Sequence, residues 1–112
     1  MRIAIPVVDG QLSAHFGHAS SFAIFDVDET DKEILKSEEL PAPDHMPGLL
    51  PRWLHEQGVN LVITGGMGSR ALDLFNQASV QVIIGVEAGT PEAIVRDYLE
   101  GKLAAGSNVC DH

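Results

Sequence analysis

The sequence is poor in cysteine: Cys110 stands alone among 112 residues. One thiol cannot form an internal disulfide, so the core must hold without covalent staples, and this usage agrees with a reducing compartment. Positive charge is scarce as well, with seven Lys and Arg against sixteen Asp and Glu and a formal net charge of −9. Binding to a phosphate backbone draws on clustered cations, and these are scattered along the chain, which argues against nucleic acid as a partner. No apolar run approaches the roughly 20 residues that a membrane-spanning helix requires. The opening residues Met1 to Val8 read as a buried strand and lack the cleavage site of a secretory signal. The expectation is a soluble, cytoplasmic protein with no membrane partner.

Catalytic signatures are missing too. There is no Walker loop, no G-x-G-x-x-G and no nucleophile elbow. Cys110 belongs to a tail rather than to a helix start, where its pKa would fall. Of the carboxylates only Asp9 ends a core strand, so a two-metal hydrolytic centre lacks its ligands. A non-enzymatic role is expected.

What is present is a domain's worth of core: 45% of the residues are apolar, in a length usual for one domain. Residues 2–8 are apolar without alternation, as in a strand covered on both faces. Turn chemistry at 9–13 leads to a loop or single helical turn over 14–21. Residues 22–27 and 33–40 read as a hairpin turned at 29–31, its outer strand an edge guarded by charge. Three prolines make 41–48 a surface loop. A helix is expected at 49–57, ended by Gly58. A core strand follows at 59–64, then a glycine turn at 65–68 and a helix carrying Ala71, Leu72, Leu74 and Phe75. A further strand spans 80–84, and Thr90-Pro91 opens a last helix that Gly101 ends. The order is β-β-β-α-β-α-β-α, which predicts a single α/β domain over 1–106 with a mixed five-stranded sheet flanked by helices. Residues 107–112 are expected to form a mobile tail.

Two stretches carry candidate chemistry. In Gly65-Gly66-Met67-Gly68-Ser69-Arg70, a buried strand passes into a helix through glycines whose amides are unobstructed, and the helix start adds about half a positive charge. Two uses fit these glycines: anion binding, or a tight turn alone. Arg70 either adds a charged donor or points to solvent, and Met67 offers a soft sulfur contact or plain packing. In His15-Phe16-Gly17-His18-Ala19, the imidazoles are three residues apart and face one site if the stretch takes a helical turn. Imidazole suits copper, zinc and iron alike, and surface or capping roles also fit. Both stretches follow parallel core strands and are expected at one edge of the sheet, where α/β proteins bind ligands.

Other residues enter with less. His45 and Met46 lie in the proline-rich loop, and His45 is a candidate ligand or cover. His55 reads as solvated and Trp53 as core or rim. Cys110 and His112 would complete a zinc site with His15 and His18, although no C-x-x-C pair supports it.

The run Ser13-Ala14-His15-Phe16-Gly17-His18-Ala19 after an Ile-Ala-Ile-Pro-Val strand, with Val62-Ile63-Thr64-Gly65-Gly66-Met67-Gly68-Ser69-Arg70-Ala71 later, resembles the dinitrogenase iron-molybdenum cofactor biosynthesis family over nearly the whole chain. Its H-F-G-x-A segment falls on His15 to Ala19 and its G-x-M-G-x-R-A segment on Gly65 to Ala71, both intact. A frequent proline of the family is replaced by Ser69. The resemblance implies a ribonuclease H-like fold without nuclease activity. It also implies a non-covalently bound, molybdenum-containing metal-sulfide cluster, of Mo-Cu or Fe-Mo type. Neither the radical-enzyme cysteine motif of the larger assembly proteins nor an added recognition domain is seen, which points to a stand-alone member resembling orange protein. The expected partner is thus a small anionic metallocluster, with a recipient protein beyond it. An acidic adaptor without metal and a zinc-binding domain using His15, His18, Cys110 and His112 are the alternatives.

Overall fold

Along the first strand of the computed structural model, β1 (Arg2–Val8), successive side chains enter two different cores. Ile3, Ile5 and Val7 join one cluster and Ala4 the other, which is why its sequence shows no polar alternation. The structure describes residues 1–43 and 48–106. The remaining elements are β2 (Gln11–Leu12), a 3-10 turn (Phe16–His18), β3 (Ser21–Asp28), β4 (Glu33–Pro41), α1 (Leu49–Glu56), β5 (Leu61–Ile63), α2 (Ser69–Gln77), β6 (Gln81–Ile83) and α3 (Pro91–Leu99).

The sheet runs β4-β3-β1-β5-β6, antiparallel from β4 to β1 and parallel from β1 to β6. That order meets the expectation of a ribonuclease H-like sheet. Helix α3 covers one face, where Ile94, Val95 and Leu99 meet Ile3, Ile5, Phe25 and Ile63. Helices α1 and α2 cover the other, where Leu50, Leu54 and Phe75 meet Ala4, Phe22, Ile24 and Val62. As expected, β4 is an edge, and its Lys36, Glu38 and Glu39 are exposed.

The sheet has six strands rather than the expected five, because Gln11 and Leu12 turn back onto Val8 and Val7. Asp9 and Gly10 both adopt positive φ (53° and 78°), the backbone of a two-residue hairpin turn. A two-residue strand is too short to leave a periodic pattern. The helix signals act as read at Gly58 and Gly101, whose φ values of 82° and 73° follow α1 and α3. Thr90 caps α3 by position, but its side chain makes no capping hydrogen bond.

Pro6 shapes the end of the sheet that matters for the site. The parallel ladder between β1 and β5 pairs Ile3 with Leu61 and Ala4 with Val62 and stops there. Pro6 has no N–H to continue it. Its carbonyl instead accepts from the Ser13 amide at 2.8 Å, so the chain after β2 is wedged between the diverging ends of β1 and β5.

Candidate functional site

That wedge joins the two stretches singled out in the sequence. The Gly65 amide donates to the Ser13 carbonyl (3.3 Å), and the Phe16 amide donates to the Gly66 carbonyl (2.9 Å). The His15–His18 turn and the Gly65–Ser69 turn are therefore hydrogen-bonded to each other at one edge of the sheet. Two hydroxyls brace the junction. Ser13 Oγ donates to the His15 carbonyl (2.7 Å) and accepts from the His15 amide (3.2 Å), while Thr64 Oγ1 donates to the Gly66 carbonyl (3.2 Å). Sequence reasoning places Ser13, Thr64 and Pro6 within its motif runs but gives none of them a role. The available signal was a short hydroxyl side chain where an apolar strand gives way to small residues, the setting in which Ser and Thr bond local backbone.

The glycines divide by task. Gly65 is buried, and a Cβ there would lie 2.8 Å from the Ala14 Cα and 2.9 Å from its carbonyl oxygen. Its missing side chain is what lets the two turns touch. Gly66 is buried with its carbonyl already engaged. Gly68 is exposed, with nothing within 4 Å of a Cβ placed on it, and forms the N-cap of α2. No side chain caps α2, so the first amides of that helix, beginning at Ser69, face outward as donors with a partial positive charge.

The side chains divide into floor and wall. Phe16 is 4% exposed and packs on Phe22 and Phe75, with ring centroids 5.6 and 5.5 Å away. Met67 is fully buried in the same cluster. Ala19 is half-buried against it. Above this floor His15, Gly17 and His18 are exposed. The hydrogen bond from the His18 amide to the His15 carbonyl (3.1 Å) closes the 3-10 turn, and the imidazole centroids stand 5.0 Å apart. The turn expected from the three-residue spacing is thus formed and presents both rings together. Arg70 is exposed and lines a cleft between α1 and α2 with Arg52 and His55. Trp53 is half-buried beside Phe22 (5.7 Å between ring centroids), and His55 is exposed, both as read from the sequence.

Among the described residues no group of three or more His, Cys, Asp or Glu side chains is placed to hold a metal ion. His45, Cys110 and His112, expected as further ligands, lie outside the described residues. Among the described residues this edge of the sheet brings together two imidazoles, a glycine-bearing turn, a helix start without a side-chain cap and an apolar floor.

Residues 1–101 match the family model for dinitrogenase iron-molybdenum cofactor. The chain belongs to this family. Among solved structures, the crystal structure of PH0822 aligns with a TM-score of 0.86 and 30% identity over 94% of each chain. The apo form of the orange protein from Desulfovibrio gigas aligns with a TM-score of 0.71 over 96% of this chain and 93% of that one, and at 24% identity the likeness is one of fold. An uncharacterized protein of Methanocaldococcus jannaschii, MJ0580, is 28% identical over 106 residues, 92% of this chain and 89% of that protein. The two segments singled out in the sequence, at 15–19 and 65–71, both fall within the matched range. No helix among the described residues is long and apolar enough to cross a membrane.

Proposed function

We propose that this member of the dinitrogenase iron-molybdenum cofactor family binds and carries a small anionic metal-sulfur cluster, containing molybdenum and of Mo-Cu sulfide type, without catalysing a reaction itself. The observation that carries the reading is the direct backbone pairing of the two family segments, with the His15 and His18 rings 5.0 Å apart on its outer side. A sulfide-rich anion would accept hydrogen bonds from the α2 start at Ser69 and Arg70 and from the exposed end of the turn at Gly68, with buried Gly66 and Met67 shaping the turn beneath it. The two imidazoles would supply soft-to-borderline nitrogen donors to copper or iron at its edge. Phe16, Met67 and Ala19 would limit water beneath it, and Gly17 and Gly68 leave room above. His45 is a further ligand or cover in this proposal, and the cluster is handed on to a recipient protein in the cytoplasm. The overall charge of −9 is compatible with an anionic guest because recognition is local, through backbone dipoles rather than net charge.

The test is anaerobic reconstitution of the purified protein with tetrathiomolybdate and a copper salt, read by visible absorption and by metal analysis. The expected result is a new charge-transfer band with molybdenum and copper bound in stoichiometric amounts, both strongly reduced in His15→Ala with His18→Ala. Equal uptake by the double variant would remove the histidines from the site, and no uptake by the unaltered protein would remove the cluster.

A further inference from the structure

Helices α1 and α2 lie on the same face of the sheet and turn facing stripes to each other. The α1 stripe is Pro51, Arg52 and His55, and the α2 stripe is Arg70, Leu74 and Gln77, each with the three- and four-residue spacing of one helix face. Two amphipathic helices usually meet through apolar side chains. Here only the floor follows that rule: Pro51 is buried and Leu74 half-buried, while Arg52, His55 and Arg70 are exposed along the walls. Between them is a cleft of about 460 Å³.

The charge in this cleft is opposite to that of the molecule. Two of the chain's seven Lys and Arg line it together with His55, and among the described residues no carboxylate does. Each helix has a single carboxylate, Glu56 on α1 and Asp73 on α2, and both lie outside the lining. Asp73 lines a separate cleft with Asn76 and Tyr98. Of the five cations elsewhere, Arg2, Arg96 and Lys102 are paired with Asp26, Glu92 and Glu100, while Lys32 and Lys36 stand singly on and beside the exposed edge strand β4. Among the described residues Arg52, His55 and Arg70 form no ion pair and no side-chain hydrogen bond. Like charges gathered beside an apolar floor repel one another and gain from a counter-anion.

We infer that the α1–α2 cleft is a second binding site, for a small organic molecule bearing an oxyanion, either a phosphate ester or a carboxylate. Its anionic group sits between Arg52 and Arg70, whose guanidinium forks match both kinds of oxyanion, and its carbon body lies on Pro51 and Leu74. Gln77 offers a neutral hydrogen-bonding group at the far end of the α2 stripe. The volume is that of a small-molecule site and too small for a nucleic-acid strand or a folded partner. The cleft shares Arg70 with the proposed cluster site, here through its side chain rather than its amide, but it contains neither His15 nor His18, and Arg52 and His55 belong to this site alone.

The experiment is a two-dimensional amide NMR titration of the full chain with phenyl phosphate, benzoate and inorganic phosphate in parallel. Saturable shifts are expected at residues of α1 and α2 that line the cleft, with phenyl phosphate or benzoate binding more tightly than inorganic phosphate because the floor contributes. Whichever of the two aromatic anions is tighter identifies the natural oxyanion, and either order supports the site. Arg52→Gln with His55→Ala, both exposed positions, should leave the spectrum folded and weaken binding about tenfold or more, as expected for losing charge-assisted hydrogen bonds. Arg52→Lys, which retains charge without the fork, should fall between. His15→Ala with His18→Ala should bind phenyl phosphate as before, so that failure of the cluster reading and failure of this one are separable. Shifts that do not saturate, shifts away from the cleft, or undiminished affinity in the Arg52 and His55 double variant would overturn the proposal.

Discussion

The backbone of Ala14 occupies the space into which a side chain on Gly65 would grow, 2.8 Å from the ideal Cβ to the Ala14 Cα. The contact is backbone against backbone, so no rotamer change can relieve it. Gly65→Ala should push the two turns apart, weaken the Gly65–Ser13 and Phe16–Gly66 hydrogen bonds and cost about 1–3 kcal/mol, the usual range for overpacking. Gly68→Ala meets nothing within 4 Å at a φ of −64° and should leave stability unchanged or slightly raised. Urea denaturation of the pair checks this, and equal midpoints would show that the junction tolerates a methyl group.

The imidazole-bearing turn is held down by the residue between the imidazoles. Phe16 is buried against Phe22 and Phe75, so Phe16→Ala opens a cavity under the turn as well as losing transfer energy. A loss of about 3–5 kcal/mol is expected. Phe16→Leu should recover most of it. If cluster uptake follows the geometry of the histidines, Phe16→Leu should bind with reduced affinity while remaining folded, measured by titration with tetrathiomolybdate and copper beside a thermal melt.

The fold was legible because its elements announce themselves locally. Both-face burial of β1 removed polar alternation, glycines at 58 and 101 ended helices in the left-handed region, and charges along β4 marked the edge. Element ends were less clear: the strand read at 59–64 is regular only at Leu61–Ile63, since Val59 and Asn60 serve the turn from α1 and Thr64 already belongs to the glycine turn. Strand β2 left no period, although Asp9-Gly10 is a hairpin signal in its own right. At the site, the meeting of the two turns was readable from their positions after parallel strands. The task of Gly65 was not, because it depends on Ala14, a residue 51 positions earlier in the chain, and its contact exists only once the wedge has formed. The same holds for the α1–α2 cleft, where His55 alone reads as a solvated side chain and gains meaning only opposite Arg70.

Thr64 supports the glycine turn from below. It is fully buried, and its hydroxyl donates to the Gly66 carbonyl, which also accepts from Phe16. Thr64→Val keeps the shape and removes one of two donors to that oxygen, so no acceptor is left bare. The expected cost is about 1 kcal/mol, at the level of one ordinary hydrogen bond. A loss several times larger in denaturant titrations would mean that the hydroxyl organises the turn rather than trimming it.

Arg2 ties the start of β1 to its neighbours on both sides. Its guanidinium donates to both Asp26 oxygens (2.8 and 3.2 Å) and to the Gln57 carbonyl (2.6 Å), joining β3 to the end of α1. The hydrogen bond from Arg2 holds the Asp26 carboxyl below its ordinary value; partial burial opposes this and the guanidinium charge adds to it. Arg2 is itself raised, chiefly by the same hydrogen bond, and stays protonated throughout the acid range. A carboxylate depressed in the folded state contributes stability that is present above its unfolded pKa and is lost as pH falls through the folded value. With both side chains about 30% exposed (29% and 31%), the contribution should be no more than about 1 kcal/mol. Asp26→Asn should therefore be less stable than the unaltered protein near neutrality and converge with it in strong acid. Denaturant titrations at intervals from about pH 2 to about pH 7 test the sign: a difference that stays constant across that range would mean that Asp26 acts by packing, not by its charge.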